Sequence, residues 1–422
     1  MMYRDTVCLY AILLLGLIVG ALPLRALSPE GERGVTFDTK GFVDTYHAMR
    51  VTSPHDIMSS RTRLRGEFTK RFDESVVVAS FDAAYNPITG GPCNLKLREA
   101  YFEHQEEFWK ISFGRQFVIW GTADGVRITD LVSPMDLTEF LAQDYDDIRL
   151  PVNALRFSLY NEKLRFETIL VPTFEGYILP TGENNPWSIF SSSGQKKSYE
   201  IEWDDKDSKP ALKLANIEYG GRLSFTLPGV DFSLAALHTW NKMPVLQIER
   251  GMTPGSVRVS PRYYRMGFVG GDIAKPLGAF VLRGEAAFNI DKHFRSPEQG
   301  FNSLNWLVGA DWYAPYEWML SAQLSSESIF DYDPIAGQDE HTSLLTLHIS
   351  KKMLGSTLSL ANFTYLDLNN GAWFSRFSGD YALSDQLHLL AGYDWFAGQD
   401  NGSLFARYRD NSEVWIKARY SF

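Results

Sequence analysis

Residues 412–422 read SEVWIKARYSF. Val414, Ile416, Ala418, Tyr420 and Phe422 share one parity, while Glu413, Lys417, Arg419 and Ser421 share the other; Trp415 is the single break. Successive side chains of a strand point to opposite faces, so the segment offers one face to an apolar phase and one to water. In a soluble sheet an apolar terminal strand would be an exposed edge, which invites aggregation. In a closed barrel it pairs with the first strand and no edge is left. The alternative is an ordinary amphipathic last strand, and the rest of the chain decides between them.

Working outward, composition removes two classes. Only residues 7–24 form a long apolar run, so the chain has no set of membrane-spanning helices. An aromatic content of 14% with a mean hydropathy of −0.20 fits a wall that alternates lipid-facing and water-facing residues. A formal charge of −10 argues against a nucleic-acid partner, which needs basic clusters for phosphate. Residues 1–26 carry Arg4, an apolar stretch and small residues near Ala21 and Ala26, the pattern of a secretory signal peptide. The expected organisation is a signal at 1–26 and a single barrel domain at 27–422, with an uncleaved anchor as the alternative.

From Val35 onward, alternating segments recur between turn-rich breaks. Strands are expected near 35–48, 60–72, 75–85, 93–105, 108–119, 152–160, 163–173, 211–226 and 230–241. A second set is expected near 261–273, 278–290, 302–314, 316–328, 342–351, 356–366, 372–383, 386–397 and 412–422. This predicts an all-β, antiparallel up-and-down transmembrane barrel of eighteen strands, with sixteen as the alternative. Breaks after even-numbered strands are short, and those after odd-numbered strands include 120–151, 174–210, 242–260, 329–341 and 398–411. Short turns are periplasmic and long loops extracellular in such barrels, so both chain ends are expected on the periplasmic side of a Gram-negative outer membrane.

The connection 120–151 stands apart. Long loops without regular structure are normally functional or disordered. This one carries Trp120, Ile128, Leu131, Val132, Met135, Leu137, Phe140 and Leu141, an apolar load that requires packing. We expect it to fold into the lumen as a constriction, with Arg115, Gln116, Trp120, Asp124, Arg127, Asp130, Asp136 and Arg149 facing lumen charges; a surface cap is the alternative. One conflict is local. If Ile111, Phe113 and Phe117 face lipid, period two puts Arg115 there too, at a cost of roughly 2–4 kcal/mol at mid-membrane. Either Gly114 marks a bulge, or the aromatic face of this strand points inward.

Two resemblances attach to these residues. Leu97-Arg98-Glu99-Ala100-Tyr101, Gly114-Arg115-Gln116, Trp120-Gly121, Ala123-Asp124-Gly125, Asp130, Pro134 and Asp136-Leu137 resemble a family of Gram-negative outer-membrane barrels known only as a domain of unknown function. That family is similar in architecture to alginate-export porins. The likeness is tight over 95–152 and elsewhere rests on barrel patterning. It implies a pore for an anionic or amphipathic solute. Cooperation with an inner-membrane exporter or a periplasmic partner is implied as well, and would make the cargo hydrophobic. The terminal Tyr420 and Phe422 are similar to the signature read by the barrel-assembly machinery.

Lumen chemistry follows from parity. Arg61, Arg63, Arg65 and Glu67 share one face of the second strand, in a column spaced by about 6.6 Å. Arg98, Arg156, Arg165, Glu167, Arg265, Arg283, Glu285, Lys417 and Arg419 are also assigned to the lumen. Arginine forks suit carboxylate, phosphate or sulfate, so an anion could step along the column. Cross-strand pairing of Arg with Glu is the alternative reading of each. No cofactor is expected, although Asp144–Asp147, Asp204–Asp207 and Asp331–Asp333 carry oxygen ligands of the kind Ca²⁺ takes. No catalytic residue is assigned: enzyme motifs are absent, and a lipid hydrolase would have to recruit His238. Lipid and lipopolysaccharide are the expected surroundings, and the pattern sets no oligomeric state.

Overall fold

The computed structural model describes residues 35–422 except 90, 146, 191–199, 254, 297 and 400–401. The expected signal segment and Asp146 lie outside the described residues.

Twenty-one strands follow in chain order. The first seven are β1 (Val35–Arg50), β2 (Ile57–Phe72), β3 (Ser75–Asn86), β4 (Gly91–Gln105), β5 (Trp109–Gln116), β6 (Val152–Tyr160) and β7 (Leu164–Val171). Next come β8 (Glu200–Trp203), β9 (Glu218–Leu227), β10 (Val230–Trp240), β11 (Val245–Arg250), β12 (Ser256–Arg262), β13 (Arg265–Leu277) and β14 (Phe280–Lys292). The last are β15 (Phe301–Ala314), β16 (Trp318–Ile329), β17 (His341–Met353), β18 (Leu358–Asp367), β19 (Trp373–Ala382), β20 (Leu387–Ala397) and β21 (Glu413–Ser421).

Eighteen of these form one antiparallel sheet, and β21 pairs with β1 from Phe42↔Ser421 to Arg50↔Glu413, which closes it. Gly41 N–H donates to the Phe422 carbonyl and Phe422 N–H to the Gly41 carbonyl, each at 2.9 Å, so the chain terminus is sewn into the seam. The remaining three strands form a separate small sheet, in which β12 pairs antiparallel with β11 and parallel with β8. Among the described residues no helix is long and apolar enough to cross a membrane; the strands do the crossing.

Alternation produces two chemically different faces. On β21, Val414, Ile416 and Tyr420 are exposed on the outer face, whereas Glu413, Trp415 and Lys417 are buried inward. On β15, Val308 and Trp312 point out while Ser303, Leu307 and Asp311 are buried inside. One rim is built from the tight turns 73–74, 106–108, 161–163, 228–229, 278–279, 315–317, 354–357 and 383–386. The other rim carries the long connections, 117–151 and 172–217 among them.

Four boundaries differ from the sequence reading. β5 stops at Gln116, because Phe117-Val118-Ile119 leaves the wall for the interior. Residues 211–217 are not strand; β9 begins at Glu218. The expected strand 261–273 is divided between β12 and β13. The small sheet lies where the sequence pattern predicts loop, since β8 has only four residues and pairs with a strand more than fifty residues away.

Candidate functional site

The connection 117–151 crosses the lumen rather than capping it. Val118, Trp120, Ile128 and Val132 pack on an apolar strip of the inner wall made by Val152, Ala154, Ile169, Val171, Ala235, Leu237, Phe268, Ala287 and Leu307. Farther along, Phe140 and Ala142 enter an aromatic cluster with Tyr46, Trp187, Phe374, Phe396, Tyr408 and Trp415. Full burial of one such side chain contributes about 1.5–3 kcal/mol, so these two seats dominate the segment's attachment. Trp415, the break in the terminal strand's alternation, is thereby accounted for: it faces the lumen, donates Nε1–H to Asp394 at 3.1 Å and lies under the Arg376 guanidinium.

Between the apolar seats, the segment meets opposite walls differently. Toward β14–β18 it offers backbone. The Glu285 carboxylate accepts from the amides of Thr122, Ala123 (2.7 Å) and Thr129 (3.2 Å), and from the Thr129 hydroxyl at 2.9 Å. Arg283 ion-pairs with Asp311 and donates to the Thr122 carbonyl at 2.6 Å. Gln323 bonds both the amide and the carbonyl of Asp124, and the Tyr365 hydroxyl donates to the Gly125 carbonyl at 2.8 Å. Gly121 has φ +96°, and a Cβ there would lie 2.5 Å from the Thr129 hydroxyl and 2.9 Å from Glu285, so the turn onto the carboxylate needs glycine.

Toward β1–β4 and β21 the segment offers acidic side chains. Asp136 pairs with Lys96 at 2.6 Å, Glu139 with Arg61 at 3.4 Å and Asp144 with Lys417 at 2.8 Å. Asp147 takes both Arg63 (3.0 Å) and Arg65 (2.9 Å). The wall adds its own acids: Asp44 binds Arg63 at 2.7 Å and Arg419 at 3.0 Å, and Asp82 forks onto Arg65 at 2.7 and 2.8 Å. The arginine column therefore faces the lumen but is not a free ladder for anions. Its charges are largely matched, which sequence parity could not register because two of the acids, Glu139 and Asp147, arrive from 78–84 residues away in chain order. Burial raises the Asp147 carboxyl, but Arg63 and Arg65 more than offset it and hold it well below the usual carboxylate range. Asp136 is also held low: Lys96 and the Thr138 hydroxyl and amide outweigh its burial.

The other sequence-assigned residues are placed as follows. Glu67 pairs with Lys40 toward the turn rim. Arg156 and Arg165 converge on Glu167, which also accepts the Trp120 indole N–H at 3.1 Å. Gln116 bonds Ser112 and the Ala154 carbonyl. Arg127 and Arg149 both pair with Asp130 inside the segment. Arg98 and Glu99 both point inward because β4 bulges opposite Ser80/Phe81, placing two residues against one. Arg115 escapes the lipid face: Gly114 has φ +126°, and the guanidinium donates to the Leu97 carbonyl and pairs with Glu175 at 3.2 Å. Arg265 is a correction. Met266 and Phe268 are the buried neighbours, and Arg265 lies outside, stacked on Trp240 at 4.4 Å. His238 also faces outward, against the Tyr219 ring. Among the described residues no group of three or more His, Cys, Asp or Glu is arranged to hold a metal ion.

Two cavities flank the segment. One, of about 670 Å³, lies between its acidic stretch and the β2–β5 wall, lined by Arg61, Arg63, Lys96, Arg98, Asp136 and Glu139 among others. The second, of about 630 Å³, lies between residues 126–128 and the β15–β18 wall and is lined largely by hydroxyl and amide groups such as Asn305, Ser325, Ser343 and Asn369.

With this geometry in view, the sequence profile of DUF1302, described as a protein of unknown function, matches residues 93–304, half the chain. A search of curated proteins finds no match. Among solved structures, OccAB3 of Acinetobacter baumannii is 10% identical with a TM-score of 0.54, covering 92% of this chain and 99% of its own. OccD3 (OpdP) of Pseudomonas aeruginosa is 11% identical with a TM-score of 0.53, covering 96% and 97%. OccK5 (OpdH) of Pseudomonas aeruginosa is 9% identical with a TM-score of 0.52, covering 92% and 98%. These likenesses establish a porin-like barrel.

Proposed function

The chain belongs to the DUF1302 family, and we propose that it is an outer-membrane channel whose solute path is narrowed by residues 117–151. The observation that carries this reading is a closed eighteen-stranded barrel crossed by residues 117–151, with a cavity left on each side of them. A barrel of this strand number is too wide for its own wall side chains to fill, so an inserted segment sets the bore. The solute is anionic or amphipathic. Among the described residues, six cations (Arg61, Arg63, Lys96, Arg98, Arg115, Arg149) line the larger cavity with five acids (Asp82, Asp136, Glu139, Asp147, Glu175). The apolar strip on the far wall supports the amphipathic form, and with it a second reading in which a hydrophobic cargo is passed on from an inner-membrane exporter.

Conduction through planar bilayers tests the proposal. The purified protein should give small discrete steps, and removal of residues 123–147 should enlarge them while the barrel stays folded and resistant to detergent. A parent that never conducts would sink the channel reading, and a folded deletion variant that conducts no better than the parent would sink the narrowing assigned to the segment. Assembly in the outer membrane is proposed to depend on Phe422, whose backbone is bonded into the seam. Deleting it should lower the yield of folded barrel without blocking secretion across the inner membrane.

A further inference from the structure

Arg61 is nine-tenths buried and aims into the 670 Å³ cavity, yet its ion pair with Glu139 is long at 3.4 Å and its Nε–H has no partner. Arg98, two strands away on the same cavity, reaches only Asp82, at 3.5 Å, and that carboxylate is already forked onto Arg65. Its guanidinium carbon sits over the Phe117 ring, 4.9 Å from the centroid. Buried guanidinium donors are costly to leave unmet, and a planar fork matches an oxyanion bidentately. Between these two arginines, Arg63 and Arg65 take Asp147, and Lys96 takes Asp136.

We infer that this cluster is the seat of a solute carrying two or more acidic groups, and that Asp136, Glu139 and Asp147 of the lumen segment occupy it as an internal stand-in. The inference rests on the channel reading above and names the class of its solute. Residues on one face of β2 recur about every 6.6 Å, so a molecule with carboxylates or phosphates at comparable spacing can engage two cations at once. A monoanion can displace only one segment acid, gaining one ion pair for one lost. A multiply charged solute also engages the Arg61 Nε–H, which no described group meets, and Arg98, whose carboxylate partner Asp82 is shared with Arg65. Solute and segment therefore compete for the same cations. Displacement loosens the ion-paired backbone of the acidic stretch without unseating the segment, because Val118, Trp120, Ile128 and Val132 on one wall and Phe140 and Ala142 in the aromatic cluster keep their apolar contacts.

Hydrogen exchange on the full-length protein in detergent, with citrate as a tricarboxylate probe and acetate at matched ionic strength as control, tests the competition. Citrate should speed exchange of amides in 136–147, and acetate should not. A D136N/E139Q/D147N variant should exchange fast without citrate and bind it about tenfold tighter by calorimetry, since no internal acid has to be displaced. Equal exchange in citrate and acetate overturns the inference, as does unchanged citrate affinity in a folded variant; should the variant not fold, the parent's exchange alone decides. The channel reading fails separately. Exchange that responds to citrate in a protein that never conducts would leave the binding seat standing and remove the pore. Conduction with no citrate response would do the opposite.

Discussion

The two walls that hold the lumen segment grip it by opposite means. Along β14–β18 the wall supplies side chains and the segment supplies backbone, with Glu285 gathering three amides. Along β2–β4 and β21 the segment supplies carboxylates and the wall supplies cations. A carboxylate on backbone amides reads the path of the chain and has no interchangeable substitute. An ion pair in a polar lumen can be exchanged for another anion, weakened by salt or removed by protonation. The difference assigns a fixed side and a release side to the same segment.

Four experiments break or sharpen that contrast, in descending size of effect. Removing residues 123–147 abolishes both grips and should raise single-channel conductance several-fold. Glu285→Ala orphans the amides of Thr122, Ala123 and Thr129, each buried unmet donor costing about 1–3 kcal/mol. Brief full openings should become tenfold or more commoner in bilayer recordings, at about 1.4 kcal/mol per factor of ten. Asp147→Asn leaves Arg63 on Asp44 and Arg65 on Asp82, so its effect should be nearer 1 kcal/mol or less, read as a modest rise in exchange of 136–147. If Asp147→Asn opens the pore more than Glu285→Ala, the fixed and release sides have been assigned backwards. The last is acidification. Asp136 and Asp147 have carboxyl pKa values depressed in the folded state, so the docking they contribute is complete above the ordinary Asp value of about 3.9 and fades only as pH falls toward the folded values. Exchange of 136–147 should be flat from pH 7 to about 5, once corrected for intrinsic rates, and rise only below about pH 4. Release between pH 5 and 7 would mean another group controls it.

Strand number, closure and the inward course of residues 120–151 were legible in the sequence, and for physical reasons. Period-two alternation is imposed locally by the pleat, and an apolar load such as Trp120, Ile128 and Phe140 cannot remain in water. Two kinds of feature were not legible. Where the segment rests on the wall, the lumen face is itself apolar, so Met266 and Phe268 inside look no different from Val269 and Ile273 outside, and Arg265 was put on the wrong face. The pairing of Arg61, Arg63 and Arg65 depends on which acids the fold carries back across the lumen, and nothing in their neighbourhood on β2 states it. Lys96 shares the parity of Arg98 and was legible but not assigned, whereas Glu99 was not legible, because the bulge in β4 brings it inward beside Arg98.

Trp415 has a consequence for how the molecule is made. It lies on the final strand, and with Glu413 and Lys417 it receives the segment's Phe140 cluster and Asp144, while the Tyr46 hydroxyl reaches Glu413 at 3.0 Å across 367 residues of chain. Those contacts exist only after the first and last strands have met. Contacts so distant along the chain form late, because loop closure has to come first. Asp144 and the Phe140 cluster therefore reach their final contacts only with seam closure, whereas the pairs of Asp136, Glu139 and Asp147 with β2 and β4 do not wait for it.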